Sequence, residues 1–118
     1  MNLTAFYGTI YTGDLEVLRT ILQQWLGPES LDTKIRLSGE ELTYESENLY
    51  VYCHNAVGQT DNPRYLLEGN TSVGLDETSR RLKELLKLCQ GHNVVCSLEY
   101  VEVNEAGEEV SELFELAI

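Results

Sequence analysis

Basic residues are scarcest in this 118-residue chain where the acids gather: Lys and Arg are absent between Leu37 and Pro63, and again from Gly91 to the last residue. Eight Lys and Arg stand against twenty Asp and Glu, a formal net charge of -12. A polyanion is repelled by that sign, and nucleic-acid sites also interleave cations with aromatics. The basic cluster Arg80, Arg81, Lys83 and Lys87 contains no aromatic residue, so no nucleic-acid partner is expected. Long apolar runs are lacking too. The longest, Leu49 to Cys53, falls far short of the roughly 20 residues that cross a bilayer, and no membrane association is expected. The first basic residue is Arg19, so no secretory or transit segment is read at the N-terminus and a cytoplasmic location is expected.

Cysteine is also sparse. Cys53, Cys89 and Cys96 are an odd number without C-x-x-C spacing, which fits a reducing compartment and argues against a disulfide framework. A zinc site needs thiolates and imidazoles in tetrahedral array, and the nearest set, Cys89, His92 and Cys96 with Cys53-His54 elsewhere, is poorly spaced. Buried thiols are expected, with no metal and no cofactor. A nucleophilic thiol would need an electropositive setting, which this chain lacks. Carboxylates are abundant, yet acid–base work requires a pair separated in pKa by burial. Glu99 and Glu102 should point to opposite faces of a strand, and Glu45 and Glu47 share a face beside a turn. No catalytic residue is assigned, and the protein is not expected to be an enzyme.

What is present reads as one domain over residues 1–118, with 42% hydrophobic and 24% charged residues, no internal repeat and no dividing linker. Leu3 to Tyr11 predicts a strand buried largely on both sides, with Phe6 and Ile10 on one face and Tyr7 and Tyr11 on the other. Asp14 caps a helix whose stripe is Leu15, Leu18, Ile21, Leu22 and Trp25, stopped by Gly27-Pro28. Lys34 to Leu37 and Leu42 to Tyr44 flank a Ser38-Gly39 turn, and Leu49 to His54 forms a further strand with Tyr50 and Tyr52 on one face. From Asn55 to Gly74 the chain is punctuated by Gly58, Pro63, Gly69-Asn70 and Gly74 and reads as irregular. Asp76 or Thr78 opens a second helix with Leu82, Leu85, Leu86 and Cys89 inward, ended by Gly91. Val94 to Val103 is a strand, Asn104 to Gly107 a turn with a left-handed glycine, and a last strand pairs back through Phe114, Leu116 and Ile118, although Val110, Leu113, Phe114, Ala117 and Ile118 also fit a helix.

That order predicts an α+β two-layer sandwich: a mainly antiparallel sheet with both helices on one face, related to the ferredoxin-like split βαβ arrangement. The other sheet face is left to solvent or a partner. A small domain usually carries a net charge of about 2 to 8 in magnitude, so this one folds against self-repulsion beyond what solubility requires. In size and charge, though in no motif, it resembles bacterial toxin immunity proteins and phage-encoded inhibitors. The expected function is binding and neutralising a basic partner, such as a nucleic-acid-cleaving toxin, by a monomer or weak dimer. Contacts are expected from the acid-only middle, Glu45, Glu47, Tyr50, Tyr52 and Asp61, and from the closing hairpin, Glu99, Glu102, Glu105, Glu108 and Glu109. The alternative is an oligomeric small-ligand or enzymatic domain in which His54, Arg64 and Tyr65 line a pocket under the stretch 55–74.

Overall fold

Alternation along Leu3–Tyr11 places Phe6 and Ile10 in the core and Tyr7 and Tyr11 outside it, and this strand, β1, becomes the spine of the molecule. The computed structural model describes residues 2–27, 32–36, 39–55 and 63–117. After β1 come α1 (Leu15–Leu26), β2 (Asp32–Arg36), β3 (Gly39–Glu45), β4 (Leu49–Asn55), β5 (Tyr65–Thr71), α2 (Leu75–Gly91), β6 (Val95–Val103) and β7 (Phe114–Ala117). The strands form one seven-stranded sheet in the order β2-β3-β4-β5-β1-β6-β7, with every neighbouring pair antiparallel.

Helix α1 starts where the Asp14 carboxylate accepts from the Glu16 and Val17 amides at 3.0 and 3.4 Å, and stops at Gly27, whose φ of 103° no side-chain-bearing residue adopts cheaply. Leu18, Ile21 and Leu22 are buried, and the Trp25 indole donates to the Arg81 carbonyl at 2.8 Å, tying α1 to α2. Helix α2 begins earlier than expected, at Leu75 with Gly74 as its cap. No side chain caps it, because the cap residue is a glycine; Thr78 lies one turn in, buried, with its hydroxyl donating to the Gly74 carbonyl at 2.6 Å. Its inward stripe is Leu82, Leu85, Leu86 and Cys89.

Both helices cover the same side of the sheet. Their apolar stripes join Phe6, Ile10, Val51, Cys53, Leu67, Cys96 and Leu98 in one cluster, which makes a two-layer α+β sandwich. Each crossover brackets one antiparallel strand. The chain runs from β1 through α1 and the β2–β3 hairpin to β4, with β5 between, and from β5 through α2 to β6, with β1 between.

Two expectations are corrected. The stretch from Asn55 to Gly74 is not irregular throughout, since Tyr65–Thr71 is β5, a central strand paired with both β4 and β1. Gly69 misleads because it punctuates nothing: the Phe6 ring and the Tyr50 carbonyl occupy the space a side chain would need, so the glycine lets β5 close onto its neighbours. Residues 56–62 lie outside the described residues. The second correction concerns β1, whose outer face is not buried: Tyr7 is 42% and Tyr11 38% exposed. The first hairpin closes at Arg36 opposite Gly39, one residue before the expected turn, whose Ser38 lies outside the described residues. At the other end, Gly107 (φ 81°) completes the turn after β6, and the closing segment is a strand against Ser97–Tyr100.

Candidate interaction surface

The period of two that buries Phe6 and Ile10 also builds the opposite face, and strand register decides which residues meet there. One row crosses six of the seven strands. Thr43 stands opposite Tyr52, Tyr52 opposite Glu68, Glu68 opposite Tyr7, Tyr7 opposite Glu99, and Glu99 opposite Glu115. Two residues along, Glu41, His54, Leu66, Thr9 and Ser97 form a second row, and two residues the other way, Glu45, Tyr50, Asn70, Ala5 and Val101 form a third. No helix lies over these rows. They frame an open depression of about 540 Å³ bordered by Tyr7, Thr9, His54, Leu66, Glu68, Ser97, Glu99 and Glu115.

The electrostatics of this face are one-sided. Strands β4, β5, β1, β6 and β7 contain no Lys or Arg. Lys34 pairs by backbone with Glu41 at the far edge of the sheet. The side chains of Glu68, Glu99 and Glu115 have no ion pair or hydrogen bond among the described residues, and Glu99 and Glu115 face each other directly, a like-charge arrangement that costs stability. Tyr52 donates to the Glu41 carboxylate at 3.1 Å and stacks on His54 with ring centroids 5.1 Å apart. Burial first, then the Glu41 hydrogen bond and the fields of Glu41 and Glu68, hold the Tyr52 phenol above its usual range, so it stays a neutral donor.

The expected contact residues divide by place. Tyr50, Tyr52 and Glu99 share the outer face, which joins the acid-only middle to the closing hairpin through β5 and β1. Glu45 ends β3 on the same face, Glu47 is exposed in the turn that follows, and Glu105, Glu108 and Glu109 are exposed in the β6–β7 connection at the same end of the sheet. Glu102 belongs to the helix side of β6, where Asn2 donates to it at 2.9 Å. Asp61 lies outside the described residues. Tyr7, Glu68, Leu66 and Glu115 were not anticipated. Alternation assigns Tyr7 to a face but not to the surface, and the glycine punctuation that hides β5 hides Glu68 with it.

His54 and Tyr65, joined in the alternative pocket, stand on opposite faces of the sheet. His54 borders the depression, while Tyr65 is 1% exposed in the core with its hydroxyl reaching Glu40 at 3.4 Å. The three thiols are free and buried. Burial pushes Cys53 up to about 12, and the hydrogen bond shared with Cys89, together with burial, pushes Cys96 up as well, the reverse of a reactive thiol, while that same hydrogen bond lowers the buried Cys89. Among the described residues no group of three or more ligating side chains could hold a metal ion, and no helix is long and apolar enough to cross a membrane. No protein-family model matches the sequence, and no curated protein matches it.

Proposed function

We propose that this chain is an acidic protein-binding inhibitor that lays the outer face of its sheet over the cationic surface of a basic partner, most naturally a nucleic-acid-cleaving protein whose substrate groove it covers. One observation carries the reading. Among the described residues Glu68, Glu99 and Glu115 stand without ionic partners, beside the exposed Tyr7 and the half-buried Tyr52, on five neighbouring strands devoid of Lys and Arg. Carboxylates so placed occupy positions that phosphates would take and pair with Arg, while Tyr7, Tyr50 and Tyr52 supply contact area at low entropic cost. Opposite fields also speed encounter, by about 10 to 10³ fold.

Self-association through the same face is disfavoured, because pairing two copies would press one set of carboxylates against another. A monomer or weak dimer in the cytoplasm, on a ferredoxin-like scaffold extended by β2, β3 and β7, completes the proposal. The test is capture of the partner at low salt, followed by measurement of its nucleic-acid cleavage. Stoichiometric inhibition that weakens with added salt and is lost in a Glu68→Lys/Glu99→Lys/Glu115→Lys variant is the expected result. Full inhibition by that variant would overturn the assignment of the face, and a captured partner without a basic surface would overturn the function.

A further inference from the structure

We infer that the centre of the outer face is an arginine-anchoring site, in which a partner guanidinium stacks on Tyr7 between Glu68 and Glu99. The inference rests on the reading of this protein as a binder of basic partners and specifies how it engages one. Tyr7 lies on β1, and its cross-strand neighbours on both sides are carboxylates, Glu68 on β5 and Glu99 on β6. Neighbouring strands are about 4.8 Å apart, so the two acids spring from the sheet roughly 10 Å apart with an exposed phenol ring between them. A flat cation is the chemistry that fits. Its face meets the ring by a cation–π contact, and its N–H groups, directed outward in the plane, reach carboxylates on either side.

Arginine is favoured over lysine on both counts. A guanidinium carries five donors in a rigid planar fork and stacks on aromatic faces, whereas an ammonium is a compact, strongly hydrated point charge that can neither stack nor bridge this span. The stem of the side chain also has a place. The depression beside Tyr7 is walled by Leu66, 36% exposed, and floored by the small Gly8, Thr9 and Ser97, which suits the methylenes of an arginine. A metal ion is a poor occupant, since a tyrosine separates two acids held on different strands. The arginines of this chain's own helices are already engaged, Arg80 by Glu77 and Glu84 and Arg81 by Glu77, so a second copy does not offer the anchor from that face.

The experiment titrates the ¹⁵N-labelled protein with hexa-arginine and with hexa-lysine at low salt, following amide shifts and affinity. Expected are shifts centred on Tyr7, Leu66, Glu68 and Glu99, with hexa-arginine binding several-fold more tightly. Tyr7→Ala should weaken hexa-arginine by about fivefold and leave hexa-lysine nearly unchanged, while Tyr7→Phe, which keeps the ring, should retain most of the affinity. Because Tyr7 is exposed, dispersed spectra of both variants verify that the fold is intact. Equal affinity for the two peptides, indifference to Tyr7→Ala and shifts confined to Glu45, Glu47 and Glu105 to Glu109 would overturn the anchor while leaving the acidic-binder reading standing. Absence of binding by either peptide would overturn both.

Discussion

The two faces of this molecule carry acid in opposite ways. On the helical layer Glu16, Glu77 and Glu84 each have a cation close by in sequence: Glu16 pairs with Arg19 at 3.3 Å, Arg80 with both Glu77 and Glu84, and Arg81 with Glu77 at 3.5 Å. Those are the ordinary i,i+3 and i,i+4 pairs of a solvated helix, and with them the Glu77 carboxyl is held below its usual range, first by its hydrogen bond to Arg80. On the sheet, Glu68, Glu99 and Glu115 are set among tyrosines and against one another, with no cation on their own or adjoining strands. Charge that neutralises itself is explained by the fold, whereas charge held against its like on a face that no helix covers asks for something outside the molecule.

The largest expected effects test whether the faces differ in packing as they do in charge. Phe6 and Tyr7 are consecutive, one in the core edge-on to Trp25 and the other outside it. Phe6→Ala is expected to cost about 3–5 kcal/mol through lost burial and a cavity. Gly69→Ala, which drives a methyl group into the Phe6 ring and the Tyr50 carbonyl, should cost about 1–3 kcal/mol. Tyr7→Ala should cost less than about 1 kcal/mol. Urea unfolding followed by the fluorescence of Trp25, the only tryptophan, measures all three, and a Tyr7 variant as damaging as Phe6→Ala would mean the outer face is core.

Next in size is the effect on association. Reversing Glu68, Glu99 and Glu115 to Lys should slow binding of a basic partner by about 10 to 10³ fold at low salt, with the gap closing as salt is added. Glu16→Lys/Glu77→Lys/Glu84→Lys changes the same amount of charge on the helical layer and should slow binding far less. Equal slowing by the two variants, read by stopped-flow mixing, would mean that net charge alone steers the encounter and that the sheet face has no special part in it.

Much of this architecture was legible along the chain, for reasons particular residues make plain. Asp14, the Leu18–Ile21–Leu22 stripe and Gly27 define α1 through contacts within a few residues, and Asn104 with Gly107 defines the last turn in the same local way. The two-layer outcome follows from one apolar stripe per helix and one apolar face per strand. What stayed hidden is non-local. Gly69 serves a strand only because Phe6 from another strand fills its place, and that neighbour lies 63 positions away in the sequence. The site suffered likewise: alternation put Tyr50 and Tyr52 on one face and separated Glu99 from Glu102, but only the strand order brings Glu68 and Glu99 to either side of Tyr7.

Alkaline titration separates the buried thiols from the exposed acids. Cys53 ionises near 9 when the chain is unfolded and only at about 12 when burial in the core opposes the thiolate. The folded state therefore holds a proton that the unfolded state releases, so the contribution is complete below about pH 9 and is lost as pH rises toward 12. Within that window stability should fall by about 1.4 kcal/mol per pH unit for this group, with Tyr65, also raised chiefly by burial, adding to the slope. Cys53→Ala should flatten the profile by close to one proton, and an unchanged slope would show that the thiol does not carry it.

The smallest effect has the most diagnostic sign. Glu115 faces Glu99 across the β6–β7 pair, so Glu115→Gln removes a repulsion and should raise stability by about 0.2–1 kcal/mol. Glu84 instead pairs with Arg80, and Glu84→Gln should lower stability slightly. Both shifts are Coulombic between exposed groups, and at 1 M salt, where the screening length is about 3 Å, both should shrink toward zero. Urea midpoints of the two variants at low and high salt therefore test the contrast between the faces without any partner. Opposite signs that converge with salt would show that the sheet keeps its acids at a cost to its own stability, as a surface shaped for a cationic partner would. Two destabilising shifts would mean that Glu115 is held by an attraction within the fold, and the sheet face would lose its claim to be different.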